Sequence, residues 1–119
     1  PATRPGPNLL CPPANDVEST TGLAASGANV IVFTTGLGTP TGNPVAPVLK
    51  VSTNTALYRR MRDLIDLDAG PIISGEVTIA SMGEAILELI VQTASGRFTP
   101  AAVRLGQDDF IPWKRGVSL

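Results

Sequence analysis

The sequence contains no histidine and one cysteine, Cys11, in 119 residues. Without histidine there is no Ser/His/Asp triad, no Cys/His pair and no imidazole-held metal, and a lone cysteine cannot form a disulfide within the chain. Chemistry must therefore draw on carboxylates, hydroxyls, Lys, Arg and backbone amides. A dominant charge is also missing: nine basic residues face ten acidic ones, so no summed positive field holds a polyanion, and nucleic acid is not an expected partner. Apolar runs such as Val30-Ile31-Val32-Phe33 fall far short of the roughly 18 residues that span a bilayer, so no membrane partner is expected. No basic segment leads into an apolar one after Pro1. Together with the scarcity of cysteine this fits a reducing, cytoplasmic setting, and a sequence opening on proline reads as cut from a longer one.

What is present suits one folded domain. Apolar residues make up 43% and charged residues 16%, ordinary globular values at about the modal domain length. Five of the eleven prolines lie in the first 13 residues, where each fixes φ and removes a donor, so 1–14 reads as a proline-rich linker or arm. Asn15 or Asp16 can cap a helix over 17–26 built of small residues and stopped by Gly27. Residues 29–34, β-branched and aromatic without alternation, read as a strand covered on both faces. Residues 48–52 read as a second strand whose one charge, Lys50, suits a sheet edge or a strand end near a site. Leu57, Met61, Leu64 and Ile65 recur at i, i+4, i+7 and i+8, predicting one helix from Asn54 or Thr55 through position 65, with Arg59, Arg60 and Arg62 on its solvated side. Thr78 opens a last helix with Met82, Ile86, Leu89 and Ile90 inward, Glu84 and Glu88 on another face and Gly96 as its stop. Phe98, Val103, Phe110, Ile111 and Trp113 predict a tail packed onto the domain. The whole describes an α/β fold: a small Rossmann-like layered domain, a short sheet flanked by helices.

Between the strands, residues 36–47 hold three Gly and three Pro, which excludes regular structure. A buried strand running into a Gly- and Thr-rich loop offers unhindered amides and hydroxyls where open α/β sheets gather ligands. Gly36-Leu37-Gly38 is not a dinucleotide fingerprint, because Thr41 stands where the third Gly or Ala belongs, and no Gly-Lys-Ser/Thr is present. Composition leaves two readings open, a structural turn and an oxyanion-binding loop.

Ordered blocks add a resemblance. Asn15-Asp16-Val17-Glu18-Ser19, Ala25-Ser26-Gly27-Ala28-Asn29, Phe33-Thr34-Thr35-Gly36-Leu37-Gly38-Thr39, Pro47-Val48-Leu49-Lys50-Val51, Asp66-Leu67-Asp68-Ala69-Gly70, Ala94-Ser95-Gly96 and Phe110-Ile111-Pro112-Trp113 resemble the C-terminal part of the altronate and galactarate dehydratase family. The run from Glu18 to Gly27 is also similar to the related sulfolactate sulfo-lyases. The resemblance implies a hydro-lyase that dehydrates an altronate- or galactarate-like acid to a 2-keto-3-deoxy acid with a divalent metal, iron, whose ligands lie outside this chain. It makes 15–119 the C-terminal α/β domain of a longer dehydratase, inactive when isolated. The implied partners are the sugar-acid substrate, the remaining domains of the parent and a second copy in a homo-oligomer. Two positions depart from the family pattern: Leu10-Cys11-Pro12-Pro13-Ala14 replaces a turn with an acidic residue, and Gln107 stands where His is common.

Water loss beside a carboxylate needs a base for the α-proton, an acid or Lewis acid for the leaving hydroxide, and stabilisation of the enediolate. The expected substrate-binding set is Thr34, Thr35, Gly36, Gly38, Thr39 and Lys50, with Asp16 and Glu18 as possible polar or metal-side groups. Lys50 as a plain strand-edge charge and Asp16 as a mere helix cap are the competing readings, and a non-catalytic assembly module is the competing function.

Overall fold

The computed structural model describes residues 3–112. Its elements run α1 (Asp16–Ala25), β1 (Ile31–Thr35), β2 (Val48–Ser52), α2 (Thr55–Arg60), β3 (Leu67–Asp68), a 3-10 turn (Gly70–Ile72), α3 (Ile79–Ala94) and α4 (Ala101–Arg104). The strands form one parallel sheet in the order β1-β2-β3. The expected layered α/β architecture is what forms, and the β1–β2 crossover, residues 36–47, contains no helix, as its Gly and Pro content predicts.

Local signals set the well-formed helices. The Asn15 side chain accepts from the Val17 amide at 3.1 Å, capping α1. Gly27, at φ +103°, reverses the chain behind it. The buried side of α1 is Thr20, Thr21 and Gly22, and Ala24 and Ala28 meet the cluster of Ile31, Ala46 and Val48. Side chains this small let the helix backbone approach the sheet closely. Thr78 caps α3 by accepting from Ser81 at 3.1 Å, and Gly96, at φ +72°, follows its end.

The sheet corrects four expectations. β2 is central and every residue in it is buried, so Lys50 sits in neither an edge strand nor an exposed strand end. β1 is an edge strand, and its outer face is open at Val32 and Thr34 rather than covered. The helix expected through position 65 stops at Arg60, where Met61 turns out of helical geometry at φ −128°, ψ 43°. Leu64 and Ile65 then donate to the Met61 carbonyl in a tight turn that still buries Ile65. That turn frees Leu67 and Asp68 to pair with Val51 and Ser52 as a third strand instead of ending a helix.

The physical reason lies at Asp66. Its amide donates to the Lys50 carbonyl at 2.9 Å, and its carboxylate accepts from the Lys50 amide at 2.8 Å and the Ala101 amide at 2.7 Å. The second of these bonds fixes the start of α4, so α3 is not the last helix. Arg59, Arg60 and Arg62 are exposed as expected, with Arg62 over the Tyr58 ring at 5.6 Å. The tail touches α1, the Ile111 amide donating to the Thr21 hydroxyl at 3.2 Å. Phe110 stays 55% exposed, however, so the tail is laid along the domain rather than packed into it. Trp113 lies outside the described residues. Amide bonds to a carboxylate contribute about 1.5–3 kcal/mol each, so losing both in Asp66→Ala should lower the unfolding free energy by about 3–6 kcal/mol in urea denaturation. A loss below about 0.5 kcal/mol would show that the junction does not depend on them.

Candidate functional site

The three parallel strands end together on Thr35, Ser52 and Asp68, in register across the sheet. Each end is drawn into a polar mesh. The Thr53 amide and hydroxyl donate to the Thr35 carbonyl at 3.0 and 3.3 Å. The Ser52 hydroxyl donates to the Asn54 carbonyl at 2.7 Å, and Asp68 accepts from the Gly70 amide at 2.9 Å. Asn54 does two things at once: its Oδ1 caps α2 at Leu57, 2.8 Å away, and its Nδ2 donates to the Gly36 carbonyl at 3.1 Å. Gly70 is required here, because a Cβ would run into the Thr55 backbone.

The loop 36–47 folds back from this edge. Gly38 turns at φ +93° against Leu57 and Met61, with its amide donating to the Thr35 hydroxyl at 2.9 Å. The buried hydroxyls of Thr39 and Thr41 bond each other at 2.9 Å. Asn43 Oδ1 accepts from the Val45 and Ala46 amides at 3.0 and 3.2 Å, while its Nδ2 is buried without a partner among the described residues. Beneath the loop, Lys50 Nζ donates to the Pro40 carbonyl at 3.2 Å, and Asp109 reaches over from the tail to accept from the Gly42 amide at 3.4 Å.

The expected residues therefore separate into two groups. Thr34, Thr35 and Gly36 lie at the open carboxyl end of β1, followed by Leu37, which is 92% exposed. Among the described residues no hydrogen bond takes up the Gly36 or Leu37 amide. The Gly38 amide and the Thr39 hydroxyl, by contrast, are used within the loop. Lys50 is fully buried. Its loss of water lowers its pKa below the ordinary 10.5, against the opposing pull of Asp66 and Asp109. Asp16 and Glu18 both lie in the first turn of α1, Asp16 exposed and Glu18 half-buried. No hydrogen bond joins Asp16 to the 34–39 segment among the described residues.

Asn54 and Asp109 were absent from the expected site. Asn54 carried a local signal as a helix cap, whereas nothing in the sequence links Asp109 to Gly42 across 67 positions. Among the described residues no three Cys, Asp or Glu side chains converge where they could hold a metal ion. The iron implied by the resemblance is thus not matched by a ligand set among the described residues.

The family model for "D-galactarate/Altronate dehydratase, C-terminal" matches residues 1–118. The chain belongs to that family. The chain is 43% identical over 95 residues to galactarate dehydratase (L-threo-forming) of Escherichia coli, covering 80% of the chain and 18% of that protein. Altronate dehydratase of the same organism is 40% identical over 95 residues, covering 80% of the chain and 19% of the relative. The (2R)-sulfolactate sulfo-lyase subunit beta of Chromohalobacter salexigens is 35% identical over 109 residues, 92% of the chain and 28% of the relative. The domain thus spans less than a fifth of the length of either Escherichia coli dehydratase.

Burial of Lys50 gives the domain a signed pH dependence. Between its lowered folded value and 10.5, the unfolded chain keeps the Lys50 proton that the folded domain has released, so stability rises with pH in that window. The stability of the native domain relative to Lys50→Met, in which other groups cancel, should climb through the alkaline range and level off above 10.5. Urea titrations showing a flat or falling difference would contradict a desolvated amine.

Proposed function

We propose that this is the substrate-carboxylate-binding domain of a hydro-lyase that removes water from an altronate- or galactarate-like sugar acid, giving a 2-keto-3-deoxy acid. The observation that carries the reading is the family match over residues 1–118. It is supported by a parallel sheet whose carboxyl edge presents amides and hydroxyls beside a loop, where α/β folds bind ligands. On this reading the Gly36 and Leu37 amides, with the hydroxyls of Thr34 and Thr35, hold the carboxylate. Charge developing on the enediolate then falls against preorganised donors. Lys50 acts one layer below, fixing the loop through the Pro40 carbonyl rather than touching substrate.

The α-proton base, the leaving-group acid and the metal belong on this reading to the rest of the parent enzyme, working in the cytoplasm as an oligomer. No helix among the described residues is long and apolar enough to cross a membrane. A sulfolactate-type sulfo-lyase is the second reading, favoured by the match to such a subunit over 92% of the chain. It requires the same grip on a carboxylate.

Keto-acid formation by the intact parent enzyme from altronate, galactarate and sulfolactate separates the two. Turnover of either sugar acid supports the first reading, turnover of sulfolactate alone the second, and turnover of none rejects both. In the active enzyme Lys50→Met should lower kcat/KM by about tenfold or more, since a small displacement of a binding loop is enough for that loss. Unchanged kinetics would remove the loop from the site.

A further inference from the structure

The apolar surface of α3 is wider than this domain covers. Met82 and Thr93 are buried, and Ile86, Leu89 and Ile90 are half-buried on the same side. A second row, Ile79, Gly83, Leu87 and Val91, follows the i+4 spacing that forms a straight ridge on a helix surface. Ile79, Leu87 and Val91 are 77%, 60% and 46% exposed, and a Cβ on Gly83 would meet nothing within 4 Å. Such a row of apolar side chains around a glycine gap has the shape that receives a second helix.

The charge around the ridge restricts the occupant. The 16 residues of α3 contain Glu84 and Glu88 and no Lys or Arg. Both carboxylates are exposed, and Glu88 accepts from Gln92 Nε2 at 2.8 Å. A second copy of α3 laid across the ridge would bring carboxylates to carboxylates, whereas a helix with basic flanks would be drawn in. The dehydratases similar to this chain have more than four-fifths of their length outside the matched domain.

We infer that the Ile79-Gly83-Leu87-Val91 ridge seats an amphipathic helix from the part of the parent enzyme outside this domain, with apolar residues at its centre and Lys or Arg beside Glu84 and Glu88. This rests on the reading of the chain as one domain of a longer dehydratase.

The test places p-benzoylphenylalanine at Leu87 of the full parent polypeptide and maps the photo-crosslink by mass spectrometry. The expected product is an intramolecular crosslink to a helix outside this domain that carries Lys or Arg, with a yield that falls several-fold in Glu84→Lys/Glu88→Lys. Those carboxylates are exposed, so the double variant should fold, as circular dichroism would verify. A crosslink to α3 of a second copy, a crosslink to another protein, no crosslink, or a yield indifferent to charge reversal would each overturn the inference. Loss of the functional reading is told apart by the sugar-acid assay: an inactive enzyme that still crosslinks as expected keeps the docking and loses the reaction.

Discussion

The two oxygens of Asp66 divide their hydrogen bonds between the Lys50 amide in the central strand and the Ala101 amide at the start of α4, at 2.8 and 2.7 Å. With the Asp66 amide returning a bond to the Lys50 carbonyl, one residue closes a ring onto β2 and holds a helix end against it. Much of the topology follows. The chain must leave α2 early enough to deliver position 66 to the sheet, and the two residues after it fall into register as β3. The first orphan amide of α4 is satisfied without a local cap. β2 becomes central only because this junction supplies a neighbour on its second side.

That central position explains why a lysine can lie inside the sheet. The β1–β2 crossover has no helix, so it lays backbone carbonyls and threonine hydroxyls against β2 with no ladder of their own. Buried polar groups need partners. Thr39 and Thr41 find each other, Asn43 takes two loop amides, and Lys50 serves the Pro40 carbonyl. The desolvation of the amine is offset in part by Asp66 and Asp109, the charges that oppose its lowered pKa. A methylene stem with a single polar tip can pass through an apolar layer and still hold the loop above it.

Features governed by neighbours in sequence were legible. Asn15 and Thr78 announced α1 and α3, Gly27 and Gly96 marked their ends, and the β-branched runs located β1 and β2. Features governed by distant partners were not. The spacing of Leu57, Met61, Leu64 and Ile65 fits both a continuous helix and a short helix plus a tight turn, and only the pull of Lys50 on Asp66 decides between them. α4 depends on a carboxylate 35 positions away. For the same reason the Gly- and Thr-rich loop could be picked out as the informative segment, while the orientation of Lys50 could not. A lysine on an edge strand faces solvent, and strand order was fixed by a two-residue strand with no sequence signal of its own. The family blocks, read in order, said more about function than any single residue did.

Gly42 presses against the backbone of Gln107 so closely that a Cβ there would overlap the Gln107 carbonyl oxygen. The fit is made by the carbonyl group and Cβ of position 107, not by its amide tip. The two positions therefore differ in mutational tolerance: 42 accepts only glycine, while 107 can exchange one polar group for another without disturbing the loop.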